Sequence, residues 1–474
     1  MIAGARHAFE GLSSAFSRPH PLAAVATAVL GAALVAGAQT AADKRLVGVA
    51  CAAVTLLALG VIRRVYGRND RRGLELSAFA VAIITPVAAD VGMRVARSGT
   101  QPFLHDAQAK RVAIPLMFVL FAALLLDRSL PRLRLCTTDV AFMALATIVT
   151  LPALALGLAN HNELSPVGQD LGLIVFATAA YGAGRAALAP AERSVDRVAL
   201  LSLLALGVGT QLYGLTTLSV LYSYYVAAAA AAPFYALRRR RDLWLLLPAA
   251  FLLVRAVQTA GASSLHFQVV TAVAALGYLL LRTLNRWVGR ASLVAGAAAV
   301  ALVAATTSAG SALIGTYAGP DPSLASRTTE ARQVRRAVDR STLALALGAG
   351  LGATVDLSGT PRANVITLEQ SGRDIHHVND VHLLEYEFLL KWGVLGLLWL
   401  AAFLLALLVV LFRAGERWVS DHEPRIVLYS LMVMTGLVEG STAATSWFAN
   451  PLPMLMLGML VSAIAVPRRA QARG

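Results

Sequence analysis

The chain is poor in the residues that build disulfide frameworks, metal centres and soluble surfaces. It carries two cysteines in 474 residues, Cys51 inside an apolar run and Cys136 in a basic linker, so neither is placed for a structural disulfide. No CxxC or HExxH spacing occurs, which removes two common metal and redox patterns. Charged residues make up only 14% of the chain, and the acidic ones are the scarcer sign, 26 against 41 Lys and Arg. No tandem repeat recurs, and no polar segment carries an apolar core of its own that would mark a separate soluble domain.

What is present is apolar sequence. Hydrophobic residues make up 57% of the chain and the mean hydropathy is +0.67. Apolar runs of 16 to 22 residues recur along nearly the whole length, the signature of membrane helices. An all-α helix bundle is expected, because lipid cannot satisfy an open sheet edge. About fourteen spans, at least twelve, are expected from run length. They fall near 21–38, 46–62, 75–92, 111–126, 138–158, 169–188, 198–212, 219–237, 242–258, 266–282, 291–312, 393–412, 426–440 and 451–467.

The net charge of +15 could signal a nucleic-acid partner, but the position of the charges argues against one. Arginines crowd short linkers such as RRVYGRNDRR (63–72), DRSLPRLRL (127–135), RRRRD (238–242), LRTLNRWVGR (281–290) and RAGERW (413–418), and the tail PRRAQARG. Alternate linkers, NHNELSPVGQ (160–169) and YGLTTLS (213–219), carry almost none. This is the positive-inside bias, so the basic balance reports orientation and anionic lipid headgroups. Both termini are expected in the cytoplasm of a multi-pass protein of the bacterial inner membrane, with the long 313–392 segment periplasmic. Arg6 and Arg18 before the run Pro21–Ala38 resemble a cleavable signal. They are read as flanking a retained first span.

The chain divides accordingly into N-terminal spans (1–312), one polar loop (313–392) and C-terminal spans (393–474). Within the loop, GPDPS (319–323) is a turn signal. A helix is expected from Leu324 to Leu347, with Val334, Val338, Ser341 and Leu345 on one apolar or small face. Arg327, Arg332, Arg335, Arg336 and Arg340 spread over its other side, and a glycine-rich stretch, LGAGLGATV (347–355), ends it.

An arginine flank just outside a bilayer suits a diphosphate, because guanidinium forks bind phosphate oxygens bidentately and stay charged. The plainer alternative is a solvated helix face touching lipid phosphates. His382, at the entrance of the helix in VHLLEYEFLLKWGVLGLL (381–398), can accept a proton from an attacking hydroxyl. The competing account is an interfacial histidine hydrogen-bonded in a cap, and His376 and His377 are rivals for the base. Glu385 and Glu387 form an ExE pair that either holds a divalent ion or makes capping and salt-bridge contacts. Asp90 and Arg94 read as an i,i+4 ion pair, and Arg185 as an anchor snorkelling to the cytoplasmic interface.

The loop and the span after it resemble the bacterial O-antigen ligase and O-antigen or exopolysaccharide polymerase superfamily. The residues that carry the resemblance are Arg327 and Arg332 upstream, GAGLG (348–352), and His382 eleven residues before Gly393 in WGVLG (392–396), with Lys391 just before that glycine. Glu439 in GLVEGSTAATSWF (436–448) falls where members carry an acidic residue. The likeness covers roughly 310–460. Two positions depart from it: residue 383 is Leu where Asn, Ser or Gln is usual, and TLSVLYSYY (217–225) lacks an arginine that Arg255 on the next span is expected to replace.

The resemblance implies a GT-C-like membrane bundle that transfers a glycan from undecaprenyl diphosphate to a sugar hydroxyl. His382 would activate the hydroxyl, while Arg327, Arg332 and Arg255 hold the leaving diphosphate, with Glu439, Glu385 and His377 in support. Inversion, with no metal and no cofactor, is expected. The acceptor is lipid A core for a ligase, or the end of a growing glycan chain for a polymerase. A flippase of lipid-linked oligosaccharides is the alternative from another class. Such transporters show two related halves, and none are seen here.

Overall fold

The computed structural model describes residues 136–186, 194–212, 222–238, 240–259, 322–357, 376–379, 381, 383–442 and 450–465, with 75, 78, 79, 81, 82 and 117 as isolated positions. The described residues are all-α, and their only extended pairing is one antiparallel bridge between Val355 and Val378. The expected spans at 138–158, 169–188, 198–212, 219–237, 242–258, 426–440 and 451–467 each coincide with helix to within a few residues. Those near 21–38, 46–62, 75–92, 111–126, 266–282 and 291–312 lie outside the described residues, apart from the isolated positions. Among the described residues, two helical stretches are long and apolar enough to cross a membrane, Thr137–Ala159 and Leu384–Asp421.

The chain falls into two compact units. One comprises Met1–Arg134, Phe176–Leu252 and Asn450–Gly474. Its described helices are the second half of α3 (Leu164–Ala186), α4 (Ser194–Leu212), α5 (Tyr222–Arg238), the first half of α6 (Leu246–Thr259) and α11 (Pro451–Ala465). Close approach here depends on small residues. The alanine run 227–232 of α5 is buried throughout, and a Cβ on Gly207 would come within 2.9 Å of the Tyr225 Cβ. Gly184 and Gly458 let α3 and α11 meet backbone to backbone. Arg185 does not snorkel as expected. It is 5% exposed, donates to Ser462 Oγ at 2.9 Å, and its carbonyl accepts from the same hydroxyl at 2.7 Å. Buried Asp242, the acidic residue of the basic linker, pairs with Arg197 of α4.

The second unit comprises Leu135–Val175 and Leu253–Ala449. Helices α1 (Thr137–Ala144) and α2 (Thr150–Ala159) are joined by a π-turn, Leu145–Val149. The polar segment supplies α7 (Pro322–Val338) and α8 (Thr342–Leu347), followed by α9 (Leu384–Asp421) and α10 (Pro424–Thr442). Helix α9 packs on α1 through aromatic contacts. Trp399 stacks on Phe388 and Phe403, Phe403 meets Phe142 edge-on, and Trp399 Nε1 donates to Ala141 O at 2.7 Å.

Two local expectations change. The helix read as Leu324–Leu347 stops at Val338, and Ser341 begins a second helix as its N-cap, accepting from Ala344 N at 3.0 Å. Val334 and Val338 are buried as expected, but Ser341 and Leu345 are exposed. The cause is that Ser341 satisfies a helix-start amide better than it fills an apolar face. The span expected from Gly393 is also longer, and the helix whose entrance was read at His382 includes it. That helix, α9, begins at Leu384, and Gly393 (φ 61, ψ −153) is a kink inside it.

Candidate active site

The site is framed by the three alternate glycines of GAGLG, whose backbone conformations only glycine adopts readily. Gly348, Gly350 and Gly352 have φ of 80, 88 and 77. Each also sits where a side chain would collide: Gly348 against the Lys391 carbonyl carbon (2.5 Å), Gly350 against Gly157 of α2, and Gly352 against Val167 of α3 (2.6 Å). The stretch therefore threads between three helices with no room for a Cβ.

The kink at Gly393 explains how this thread is held. A break there leaves the last carbonyls of the preceding turn without helical donors. Leu390 O accepts instead from Ala349 N at 2.7 Å. From the other side Leu351 N donates to Ala153 O (2.9 Å), and the Asn160 and Asn162 amides donate to the carbonyls of Ala349 and Leu351 at 2.8–3.2 Å. The non-basic linker 160–169 thus grips the glycine stretch.

Beneath α7 lies a small apolar cluster of Val334, Val355, Leu357, Val378, Val381 and Leu390, joined by Ala353. It is shared between the polar segment and α9, so the segment folds onto the helix rather than as a domain apart. The cluster turns the arginines outward: Arg332, Arg335, Arg336 and Arg340 are exposed. Arg335 donates to Tyr386 Oη at 3.2 Å and lies 5.8 Å from the centre of its ring, a cation–π arrangement. Hence the basic side of α7 meets the first turn of α9.

Lys391 is the buried charge of the site. Its ammonium, 2% exposed, donates to Asp170 Oδ1 of α3 at 2.6 Å and pairs with Glu387 one helical turn earlier. The second oxygen of Asp170 accepts from Gly352 N (2.8 Å), and the second oxygen of Glu387 accepts from Val381 N (2.9 Å). Removing one member of such a buried set costs about 3–5 kcal/mol, because an uncompensated charge remains.

The residues expected from sequence are placed as follows. His382 lies outside the described residues, between Val381, which is 1% exposed, and Leu383, the N-cap of α9. Arg327 is on α7 and Glu439 on α10, with side chains outside the described residues. Arg332 is exposed on α7, and Arg255 is half-buried near the C-terminal end of α6. His377 is exposed, and so is His376, whose Nδ1 is 3.5 Å from Asp356 Oδ1. Of the ExE pair, Glu385 is exposed while Glu387 is buried and makes the capping and ion-pair contacts, so the two carboxylates face different surroundings. Among the described residues, no three His, Cys, Asp or Glu side chains gather as a metal site.

Sequence reasoning missed Asp170 and the central part played by Glu387. Asp170 is 221 positions from Lys391, and no local pattern links them. An Asp inside an apolar run was the signal that could have raised the question, since a buried carboxylate needs a partner. No protein-family model matches the chain, and no curated protein matches it.

Proposed function

We propose that the protein is a membrane glycosyltransferase of the O-antigen ligase or polymerase kind. It moves a glycan from undecaprenyl diphosphate to an acceptor sugar hydroxyl at the outer face of the bacterial cytoplasmic membrane. His382 takes the proton of the acceptor hydroxyl, whose oxygen attacks the anomeric carbon. The bond from that carbon to the diphosphate oxygen breaks, and undecaprenyl diphosphate leaves with the electron pair. Attack opposite the leaving group inverts the anomeric centre. Arg327, Arg332 and Arg255 receive the charge that grows on the diphosphate. Guanidinium groups rather than a metal ion do this neutralising, and the helices form a GT-C-like bundle with both termini in the cytoplasm.

The observation that carries the reading is the Arg335–Tyr386 contact. It joins the exposed arginine side of α7 to the first turn of α9, immediately after position 382. The contact brings the arginine side of α7 to a residue four positions along the chain from the histidine assigned as base. The positive-φ glycines and the kink at Gly393 support it further, because they let Ala349 N donate to Leu390 O and so tie the stretch that follows α7 and α8 to α9.

The test is glycan transfer by the purified protein from an undecaprenyl diphosphate-linked oligosaccharide. Lipid A core and a second lipid-linked oligosaccharide are offered separately as acceptors, with and without EDTA. Transfer to one of them, unchanged in EDTA, is expected, and the acceptor used separates ligase from polymerase. Loss of transfer in EDTA, restored by magnesium or manganese, would overturn the metal-free mechanism. Translocation of the donor without transfer to either acceptor would replace the enzyme with a flippase.

A further inference from the structure

We propose that Lys391, Asp170 and Glu387 form a positioning clamp that sets the backbone on the N-terminal side of His382 and ties it to the glycine stretch. The proposal rests on the transferase reading for its catalytic consequence, though not for its geometry.

Charge pairing alone does not explain the cluster. A buried ion-paired set is often no more stable than an apolar set of similar volume. What the carboxylates supply is a second acceptor each. One oxygen of Asp170 faces Lys391 and the other takes Gly352 N–H. One oxygen of Glu387 faces Lys391 and the other takes Val381 N–H. The ammonium thus couples two backbone amides, one in the glycine stretch and one beside position 382.

The N-cap of α9 does not hold the chain before it through a side chain. Leu383 is the N-cap of α9 and has no side-chain oxygen to satisfy the first-turn amides. Its carbonyl accepts from Tyr386 N and Glu387 N, which fixes the chain just after position 382. The chain just before it is fixed by the Glu387–Val381 bond and by burial of Val381. Lys391 and Glu387 are therefore positioning residues that act through the placement of position 382.

Glu387→Gln tests this selectively, because glutamine keeps the shape but has one acceptor instead of two. Its oxygen stays with the ammonium, so its NH2 group faces the Val381 N–H, donor against donor. Two measurements are made on the full-length protein in lipid nanodiscs: amide hydrogen exchange, and initial rates with an undecaprenyl diphosphate-linked oligosaccharide. Faster exchange at Val381 with Gly352 still protected is expected. With it, kcat should fall roughly tenfold or more while the donor KM stays within about twofold. Asp170→Asn should speed exchange at Gly352 instead.

Unchanged exchange at Val381 in Glu387→Gln would overturn the clamp. So would a loosened Val381 with unchanged kcat. A fall in kcat that merely follows the folded fraction in both variants would reduce the cluster to a structural role and likewise overturn it. If Glu387→Gln does not fold, the wild-type protein decides. Its Val381 amide must exchange more slowly than those of His376 and His377, and equal rates would refute the clamp. A wild-type chain that transfers no glycan defeats the transferase reading, and the clamp is then judged by the exchange results alone.

Discussion

At the scale of single residues, glycine and buried charge set the site. Gly350 combines a left-handed backbone (φ 88) with a Cβ position that would fall on the Gly157 backbone. Gly350→Ala should therefore cost roughly 2–5 kcal/mol, from the backbone conformation and the overlap together. It is read as a lower unfolding midpoint of the purified protein. A midpoint equal to wild type would show that α2 and the glycine stretch are not in contact. The importance of GAGLG was legible in the sequence, as were the outward arginines of α7. The partner of Lys391 was not, because Asp170 lies on another helix, and an Asp in an apolar run shows that it needs a partner without showing which one. Glu385 and Glu387 looked equivalent in sequence, yet one is exposed and the other buried. Their difference is one of angle around the helix, fixed only when α3 and the 381 segment pack against α9.

At the scale of elements, hydrophobic runs located helices well and their interruptions poorly. The spans at 138–158 and 451–467 match helices almost end to end, since run length and apolarity decide them. The π-turn at Leu145–Val149 left no trace, because it adds a residue without changing composition. The break after Val338 was hidden because Ser341 continued a plausible apolar or small face. Its hydroxyl instead caps α8, so Ser341→Ala should cost about 1 kcal/mol. The measurement is amide exchange over 342–347, which should speed up in the variant while 384–392 stays unchanged. Equal exchange in wild type and variant would mean that the cap contributes nothing. The helix entrance read at His382 agrees with the start of α9 at Leu384, while Glu385, Glu387 and Lys391 kept the expected span from beginning before Gly393. Two of them are buried and mutually paired, so they do not interrupt the helix.

At the scale of the whole molecule, the all-α character of the described residues was legible from composition, and among those residues two helical stretches are long and apolar enough to cross a membrane. Orientation rests on the arginine asymmetry of the linkers. It is tested with single cysteines at exposed positions in a chain whose Cys51 and Cys136 are replaced by serine. Arg336→Cys should react with an impermeant maleimide added to intact spheroplasts, whereas Arg413→Cys should react only after permeabilisation. The reverse pattern would put the arginine helix in the cytoplasm, away from any acceptor on the outer surface. The proposed enzyme is preferred to a transporter on a different sequence feature, the gathering of polar residues in one segment late in the chain rather than in two related halves.

The most direct measurement compares wild type with His382→Ala in two assays, transfer of glycan from the undecaprenyl diphosphate-linked donor and equilibrium binding of that donor. If the imidazole activates the acceptor while arginines hold the diphosphate, transfer should fall by about 100-fold or more and the donor dissociation constant should stay within about threefold of wild type. Transfer at the wild-type rate by His382→Ala would contradict the account.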